Sequence, residues 1–270
     1  MDRLVRVLSY NIHKGFSAGN RRFVLSAMRD AIVDIDPDIV FLQEVLGEHR
    51  GHAARVSSWP DLAQYDFLAG ESWSHVAYGP NRHHRHGHHG NALLSRFPLV
   101  GWANTNISTN RLEQRGVLHA RVRPEAFKTP LHCLCVHLNM VGAGKHRQLN
   151  DVTELVLREI PASEPLILAG DFNDWSQRAS RKLIEGLGAI EAFKSGQGSY
   201  ARTFPSWYPL FPLDRIYLRG FEVVCTKVLN GDPWRKLSDH AALYAELRIS
   251  SSSVASSLDE CGDAVAKDRE

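Results

Sequence analysis

Seven short polar clusters punctuate the chain, and six of them end a hydrophobic run. They are Ser9-Tyr10-Asn11, Gln43-Glu44, Gly90-Asn91-Ala92, His137-Leu138-Asn139, Gly170-Asp171-Phe172-Asn173, Leu213-Asp214-Arg215 and Ser238-Asp239-His240. In Leu166-Ile167-Leu168-Ala169-Gly170-Asp171-Phe172-Asn173 an apolar strand runs straight into a carboxylate and an amide. Such a pattern puts an acid at the carboxyl end of a buried strand, where α/β folds build their sites. Several such acids from distant parts of one chain suggest a divalent-metal site for phosphate chemistry. A hard cation such as Mg²⁺ takes oxygen ligands and keeps several waters. Glu44, Asp171 and Asp239 are the ligand candidates, since each lies beside a hydrophobic strand rather than in a charge run. Asn11 and Asn173 offer amides that can orient a ligand, a phosphate oxygen or a water.

Histidine supplies what carboxylates cannot, a donor to a negatively charged transition state. His240 directly follows Asp239, and Asp214 can hold one of its ring nitrogens so that the other faces a phosphate. Such a pairing raises the histidine pKa and favours the imidazolium. His137 is a second candidate donor, near the leaving group. Arg115 can meet a phosphate oxygen with its planar fork. Taken singly, these residues have blander uses. Asn11 suits a turn, Glu44 and Asp171 suit helix starts, Asp214-Arg215 reads as a surface ion pair, and His137 as a structural histidine.

The elements that would position them follow from hydrophobic spacing. Leu4 to Tyr10 alternates as a strand. Phe23 to Ile35 has helical spacing and ends at Asp36-Pro37-Asp38. Ile39 to Leu42 reads as a strand buried on both faces, ending at Gln43-Glu44. Residues 47 to 89 give no clear elements. Asn91 to Ser95 and Gly116 to Val122 read as adjacent antiparallel strands. Leu131 to Leu138 is a strand with Cys133 and Cys135 on one face. His146 to Ile160 is an amphipathic helix, Leu166 to Ala169 a strand, Ser180 to Leu187 a helix, and Asp214 to Leu218 and Ala241 to Leu247 the closing strands. The chain divides into two βαβ-rich halves, each contributing a sheet.

Composition is that of a soluble globular protein: 270 residues, 43% hydrophobic and 23% charged. A net charge of +2 announces no polyanionic partner. The four cysteines form no CxxC pair, which argues against a cysteine zinc site. No stretch approaches the ~20 apolar residues of a membrane span, and the amino terminus lacks an apolar leader. A cytoplasmic monomer is the simplest expectation. Residues 1–249 read as one domain, and 250–270 as a disordered serine-rich tail. Arg82 to His89 carries five histidines and reads as a solvated loop at the site mouth, although such tracts also bind zinc or nickel. Thr203 to Pro212, rich in aromatics and proline, reads as a packed connection. The alternative is exposed rings that stack on a base or dip into a lipid interface.

The ordered series Ser-Tyr-Asn11, Leu-Gln-Glu44, Gly-Asn91-Ala-Leu-Leu-Ser-Arg96, Val-His137-Leu, Gly-Asp171-Phe-Asn173, Leu-Asp214-Arg-Ile and Ser-Asp239-His240 resembles the endonuclease/exonuclease/phosphatase (DNase I-like) superfamily. Two longer strings, His-His-Gly-Asn-Ala-Leu-Leu-Ser-Arg and Thr-Phe-Pro with Leu-Asp-Arg-Ile-Tyr, are similar to a bacterial branch called YbhP-like. The resemblance implies a four-layered α/β sandwich, two mixed β-sheets face to face with helices outside. It implies Asn11, Glu44 and Asp239 around Mg²⁺ or Mn²⁺, Asp171 on the attacking water with Asn173 beside it, and His240 with Asp214 at the phosphoryl group. It further implies His137 near the leaving group, Arg115 on substrate and Asn91 at the site rim. The expected activity is hydrolysis of a phosphodiester, in nucleic acid or in a phospholipid headgroup, with peripheral membrane contact in the second case. The competing expectation is a binding module that keeps the fold without the chemistry.

Overall fold

The computed structural model describes residues 4–250 apart from 112, 126, 141, 176 and 177. The serine-rich tail thus lies, from residue 251, outside the described residues. The first half runs β1 (Val5–Asn11), α1 (Leu25–Ile35), β2 (Ile39–His49), α2 (Arg50–Ala53), α3 (Gln64–Ala69), β3 (His75–His84), β4 (Gly87–Ser95), β5 (Leu99–Asn106) and β6 (Gly116–Val122). The second runs β7 (Leu131–His137), α4 (Ala143–Glu159), β8 (Leu166–Asp171), α5 (Arg178–Leu187), β9 (Ile190–Glu191), α6 (Ala192–Gln197), β10 (Asp214–Arg219), β11 (Phe221–Leu229) and β12 (Ala242–Ile249).

These strands form two six-stranded sheets, ordered β11-β12-β1-β2-β4-β3 and β5-β6-β7-β8-β10-β9. Each sheet is mixed. One parallel pair, β1 with β2 and β7 with β8, is joined in each case across a helix, α1 and α4, while the remaining neighbours are antiparallel. Parallel strands need such crossovers, which cover one face of the sheet.

Alternation along the strands sorts side chains into three cores. Val5, Val7, Ile39, Phe41 and Leu93 of the first sheet meet Leu118, Cys133, Cys135, Ile167, Ala169 and Ile216 of the second. On the outer face of the first sheet, Leu8, Tyr10, Val40 and Leu42 pack under Met28, Ile32 and Leu68. On that of the second, Leu134, Val136, Leu166 and Leu168 pack under Leu149, Val152, Val156 and Leu183. The result is the expected four layers.

Three readings of the sequence need correction. Asn91 to Ser95 and Gly116 to Val122 are not adjacent strands: β4 pairs with β2 and β3, while β6 pairs with β5 and β7. They lie in opposite sheets, and their similar apolar patterns reflect a shared inter-sheet core rather than a shared ladder. Nor does each half own a sheet, because β11 and β12 return to the first. Finally, β2 does not end at Gln43-Glu44. It continues to His49 through an irregular register between Leu42 and Val45, with Glu44 at φ +57°.

Candidate active site

The site is the polar end of the inter-sheet core. Continuing the inward alternation beyond Val7, Phe41, Leu93, Cys135, Ala169 and Ile216 reaches Asn11, Gln43, Asn91, His137, Asp171 and Asp214, each at most 5% exposed. One row of the second sheet holds three of them: Asp171 in β8 pairs with His137 in β7 on one side and with Asp214 in β10 on the other. Gly170 makes this row possible. Its φ is +144°, and a Cβ there would lie 2.0 Å from the Val136 carbonyl oxygen.

Asp171 is fixed on both oxygens. Oδ1 accepts the Asn173 backbone N–H at 2.9 Å, and Oδ2 accepts the Asn11 amide at 3.2 Å. The same Oδ2 is 3.5 Å from His137 Nε2 and 3.8 Å from His240 Nε2. Burial, together with the neighbouring Asp214 charge, pushes the Asp171 carboxyl up to about 7. His240 bonds Asp214 Oδ2 through Nδ1 at 2.9 Å. Burial opposes its protonation, but Asp214 and Asp171 outweigh burial and hold it up at about 10. His137 goes the other way: burial and the Arg115 charge hold it well below the usual imidazole range. The two histidines flanking Asp171 are therefore one cation and one neutral ring at physiological pH.

The loops bind this row from outside. Ser238 Oγ donates to the Asn11 carbonyl at 2.7 Å and accepts the His240 N–H at 3.2 Å, tying the end of β1 to the His240 loop. Asn173, at φ +48°, donates its amide to the Leu138 carbonyl, and its own carbonyl accepts Lys145 Nζ at 2.7 Å. Its side chain therefore shapes the site wall. Asn91 does likewise, its amide donating to Gly116 and Cys135 carbonyls in the opposite sheet.

Glu44 would project outward with Val40 and Leu42 if the alternation held. The kink at its positive φ breaks the alternation and sets Glu44 beside Lys14, with His137 and His13 in reach. Burial opposes ionisation there, yet the Lys14 ammonium helps hold its carboxyl below the usual carboxylate range. Glu44 Oε2 is buried and makes no well-aligned hydrogen bond, with Lys14 Nζ 3.2 Å away. Asp239, whose side chain is 28% exposed, stands 3.5 Å from His13 Nδ1. Two carboxylates beside Lys14 and His13, one with an unsatisfied buried oxygen, fit a site for a hard divalent cation. Arg115 faces Asp171 and Glu44, its Nη2 stands 3.8 Å from Glu113 Oε1, and its buried Nε has no hydrogen-bond partner.

His13 and Lys14 escaped the sequence reading. Both have positive φ, 45° and 57°, in the turn that follows β1. The signal lay in Asn11-Ile12-His13-Lys14-Gly15, two bases set directly after a site asparagine. The tract at 82–89 is a β-hairpin, not a loop, and His89 lies within reach of the Glu44, Lys14 and Arg115 charges. The 203–212 segment is packed at its base and open at its tip. Phe204 contacts the His240 ring at 5.1 Å, while Trp207 and Tyr208 are 67% and 62% exposed. Trp175 packs on Phe211 at 4.8 Å and extends this aromatic rim. Among the described residues, no helix is long and apolar enough to cross a membrane.

The endonuclease/exonuclease/phosphatase family model matches residues 8–240. Protein YbhP of Escherichia coli (strain K12), itself uncharacterized, is 46% identical over 244 residues, covering 90% of this chain and 96% of its own. An endonuclease/exonuclease/phosphatase structure from Beutenbergia cavernae superposes with a TM-score of 0.71 at 20% identity, over 92% of this chain and 72% of that one. The structure of D. rerio TDP2 complexed with single-strand DNA product superposes with a TM-score of 0.66 at 19% identity, over 92% and 100% of the two chains. The chain belongs to the endonuclease/exonuclease/phosphatase family.

Proposed function

We propose that the protein is a divalent-metal-dependent phosphodiesterase. Family membership supports a hydrolytic phosphoesterase, and the observation that carries the finer reading is the state of Asp171. A carboxyl group held by two hydrogen bonds and poised near 7 is suited to take a proton from water at physiological pH. Asp171 aligns and deprotonates the attacking water, and Asn11 and Asn173 keep the carboxylate aimed. Attack on phosphorus proceeds in line with the leaving oxygen. His240, cationic and braced by Asp214, donates to the phosphoryl oxygens as negative charge builds. His137, on the other side of Asp171, faces the leaving group, and Arg115 grips a phosphate oxygen.

Asn11, Glu44 and Asp239 are the residues that would hold Mg²⁺ or Mn²⁺, and a cation bound there polarises the phosphoryl group and offsets its charge. The cluster of Asp171, Asp214 and His240 brings three ligand-type atoms within 4.8 Å. We assign it to proton handling rather than metal binding, because its imidazole is protonated and already bonded to Asp214. The exposed rings beside His240 support a substrate with an apolar or aromatic part next to its phosphodiester, a nucleobase or a lipid. A peripheral contact with a membrane surface belongs to the second of these.

The test is hydrolysis of bis-p-nitrophenyl phosphate in Mg²⁺, Mn²⁺ or EDTA, with Asp171→Asn alongside. Metal-dependent turnover that disappears in the variant supports the assignment. Metal-independent turnover, or an active variant, refutes it. No turnover with any ester, despite tight binding of one, would favour a binding module.

A further inference from the structure

The histidine hairpin does not stand alone. In the strand register His49 of β2 pairs with Gly87 of β4, and Gly87 pairs with His84 of β3. Residues in one row project from the same face of a sheet. Gly87, in the middle of this row, has no side chain, and the two imidazoles approach over it with ring centres 5.1 Å apart. The glycine is required, since its φ is +152° and a Cβ there would meet the Glu48 carbonyl oxygen at 1.7 Å. Helix α2 then folds back and brings His52 to 4.0 Å from His49, and the hairpin turn brings His86 to 6.4 Å. The Arg50 N–H donates to the His86 carbonyl at 2.9 Å, pinning that turn to the start of α2. Trp59 stacks on His52 at 5.3 Å and holds the ring in place.

We infer that His49, His52, His84 and His86 form a second cation site, for a borderline divalent ion such as Zn²⁺ or Ni²⁺. Imidazole donors without carboxylates suit those ions and not Mg²⁺. With Zn–N distances of ~2.0–2.1 Å and tetrahedral angles, imidazole ring centres around one ion stand roughly 5 Å apart. His49 and His84 already stand at 5.1 Å, whereas His52 at 4.0 Å and His86 at 6.4 Å from His49 must shift as the ion seats. Burial and the neighbouring imidazoles hold His49 down at about 4, so it offers a neutral ring. At present His49 Nδ1 accepts the His52 N–H at 3.0 Å and His84 Nδ1 the His86 N–H at 3.3 Å. A cation takes those lone pairs, or the rings turn over; His84 and His86 are exposed and free to do so. A cavity of about 450 Å³ lined by Glu48, His49, Trp59 and His88 opens beside His49. Its position ties the hairpin to α2, at the edge of the sheet that carries Glu44.

Isothermal titration of Zn²⁺ into the full chain, with millimolar Mg²⁺ present, tests the site. The expected result is one-to-one binding in the micromolar range or tighter, a tetrahedral absorption band on Co²⁺ substitution, and a rise in Tm with Zn²⁺. His84→Ala and His49→Ala should each weaken binding by about 100-fold and abolish the Tm rise, whereas Glu44→Gln should retain both. His84 is exposed, so its variant should fold even if the His49 variant does not. Absence of saturable binding overturns the inference, as does Zn²⁺ binding undiminished in His84→Ala, which would signal scattered surface histidines only.

Discussion

Asp214 stands directly opposite Asp171 in the β8–β10 register, two buried carboxylates on one face of one sheet. Their repulsion is managed by His240, which bonds Asp214 at 2.9 Å and presents its other nitrogen to Asp171 at 3.8 Å. Buried like charges without a cation would force one carboxyl to protonate. In the proposed mechanism His240, held cationic by these two neighbours, donates to a phosphoryl oxygen. His240→Ala should lower kcat by ~10³-fold, since a preorganised charge donor acts chiefly on the transition state. Steady-state kinetics on a diester check this, and near-normal turnover would remove His240 from its assigned role.

Asp171→Asn is isosteric and keeps an acceptor for the Asn173 N–H, but it cannot take a proton. The loss expected for a general base is ~10²–10⁴-fold in kcat, with at most a modest fall in Tm, because the new amide NH2 meets the Asn11 amide that Oδ2 accepted. A variant that loses activity only through unfolding would argue for a structural carboxylate instead.

Much of this site was legible because its residues terminate strands whose inward alternation is plain in the sequence. His137, Asp171 and Asp214 each continue an apolar face by two positions, and Asn11 does so by four, past Ser9, so their convergence follows once the strands pack. Glu44 could not be placed that way, because its kink reverses the face that alternation predicts. Neighbours across the sandwich were also illegible. β4 and β6 share a pattern suited to pairing, and only the ladders assign them to different sheets. His13 and Lys14 were hidden because a two-residue turn at positive φ carries no hydrophobic period to read.

Lys14 holds its ammonium 3.2 Å from Glu44, where a divalent cation would be held. The contact is partly exposed and so modest, but it opposes a second positive charge. Lys14→Met should tighten Mg²⁺ binding by ~2- to 5-fold, the range of a surface-type ion pair. Calorimetry reads this directly. Weaker Mg²⁺ binding in the variant would mean that Lys14 supports the cation site rather than competing for it.

Far from the site, His119 and His132 share a hydrogen bond of 2.9 Å on the outer side of the second sheet, between Glu159 at 3.7 Å from His119 and Glu164 at 2.5 Å from His132. Burial, reinforced by the His132 and Arg121 charges against the opposing pull of Glu159, holds His119 down at about 4. Between that value and the ~6.5 of an unfolded histidine, the unfolded chain binds the extra proton. This contribution is therefore complete above about 6.5 and lost as pH falls toward 4. The loss reaches on the order of 3 kcal/mol at most. Wild type should lose more Tm between neutral pH and pH ~4.5 than His119→Gln. Parallel curves would show that His119 does not titrate in this range.

The aromatic rim separates the chemistry from the choice of substrate. Trp207 and Tyr208 are exposed, whereas Phe204 behind them touches His240, so the tip can be altered without moving the catalytic ring. Trp207→Ala should leave turnover of bis-p-nitrophenyl phosphate within about 2-fold. A substrate held by ring stacking should lose ~10-fold or more in KM, since one stacked base contributes ~1–3 kcal/mol. Single-stranded DNA and phosphatidylcholine vesicles, assayed side by side, reveal which substrate depends on Trp207. A loss confined to DNA assigns the rim to base stacking, and a loss confined to vesicles assigns it to interfacial insertion. Equal loss on the small diester would show instead that the tip shapes the catalytic pocket itself.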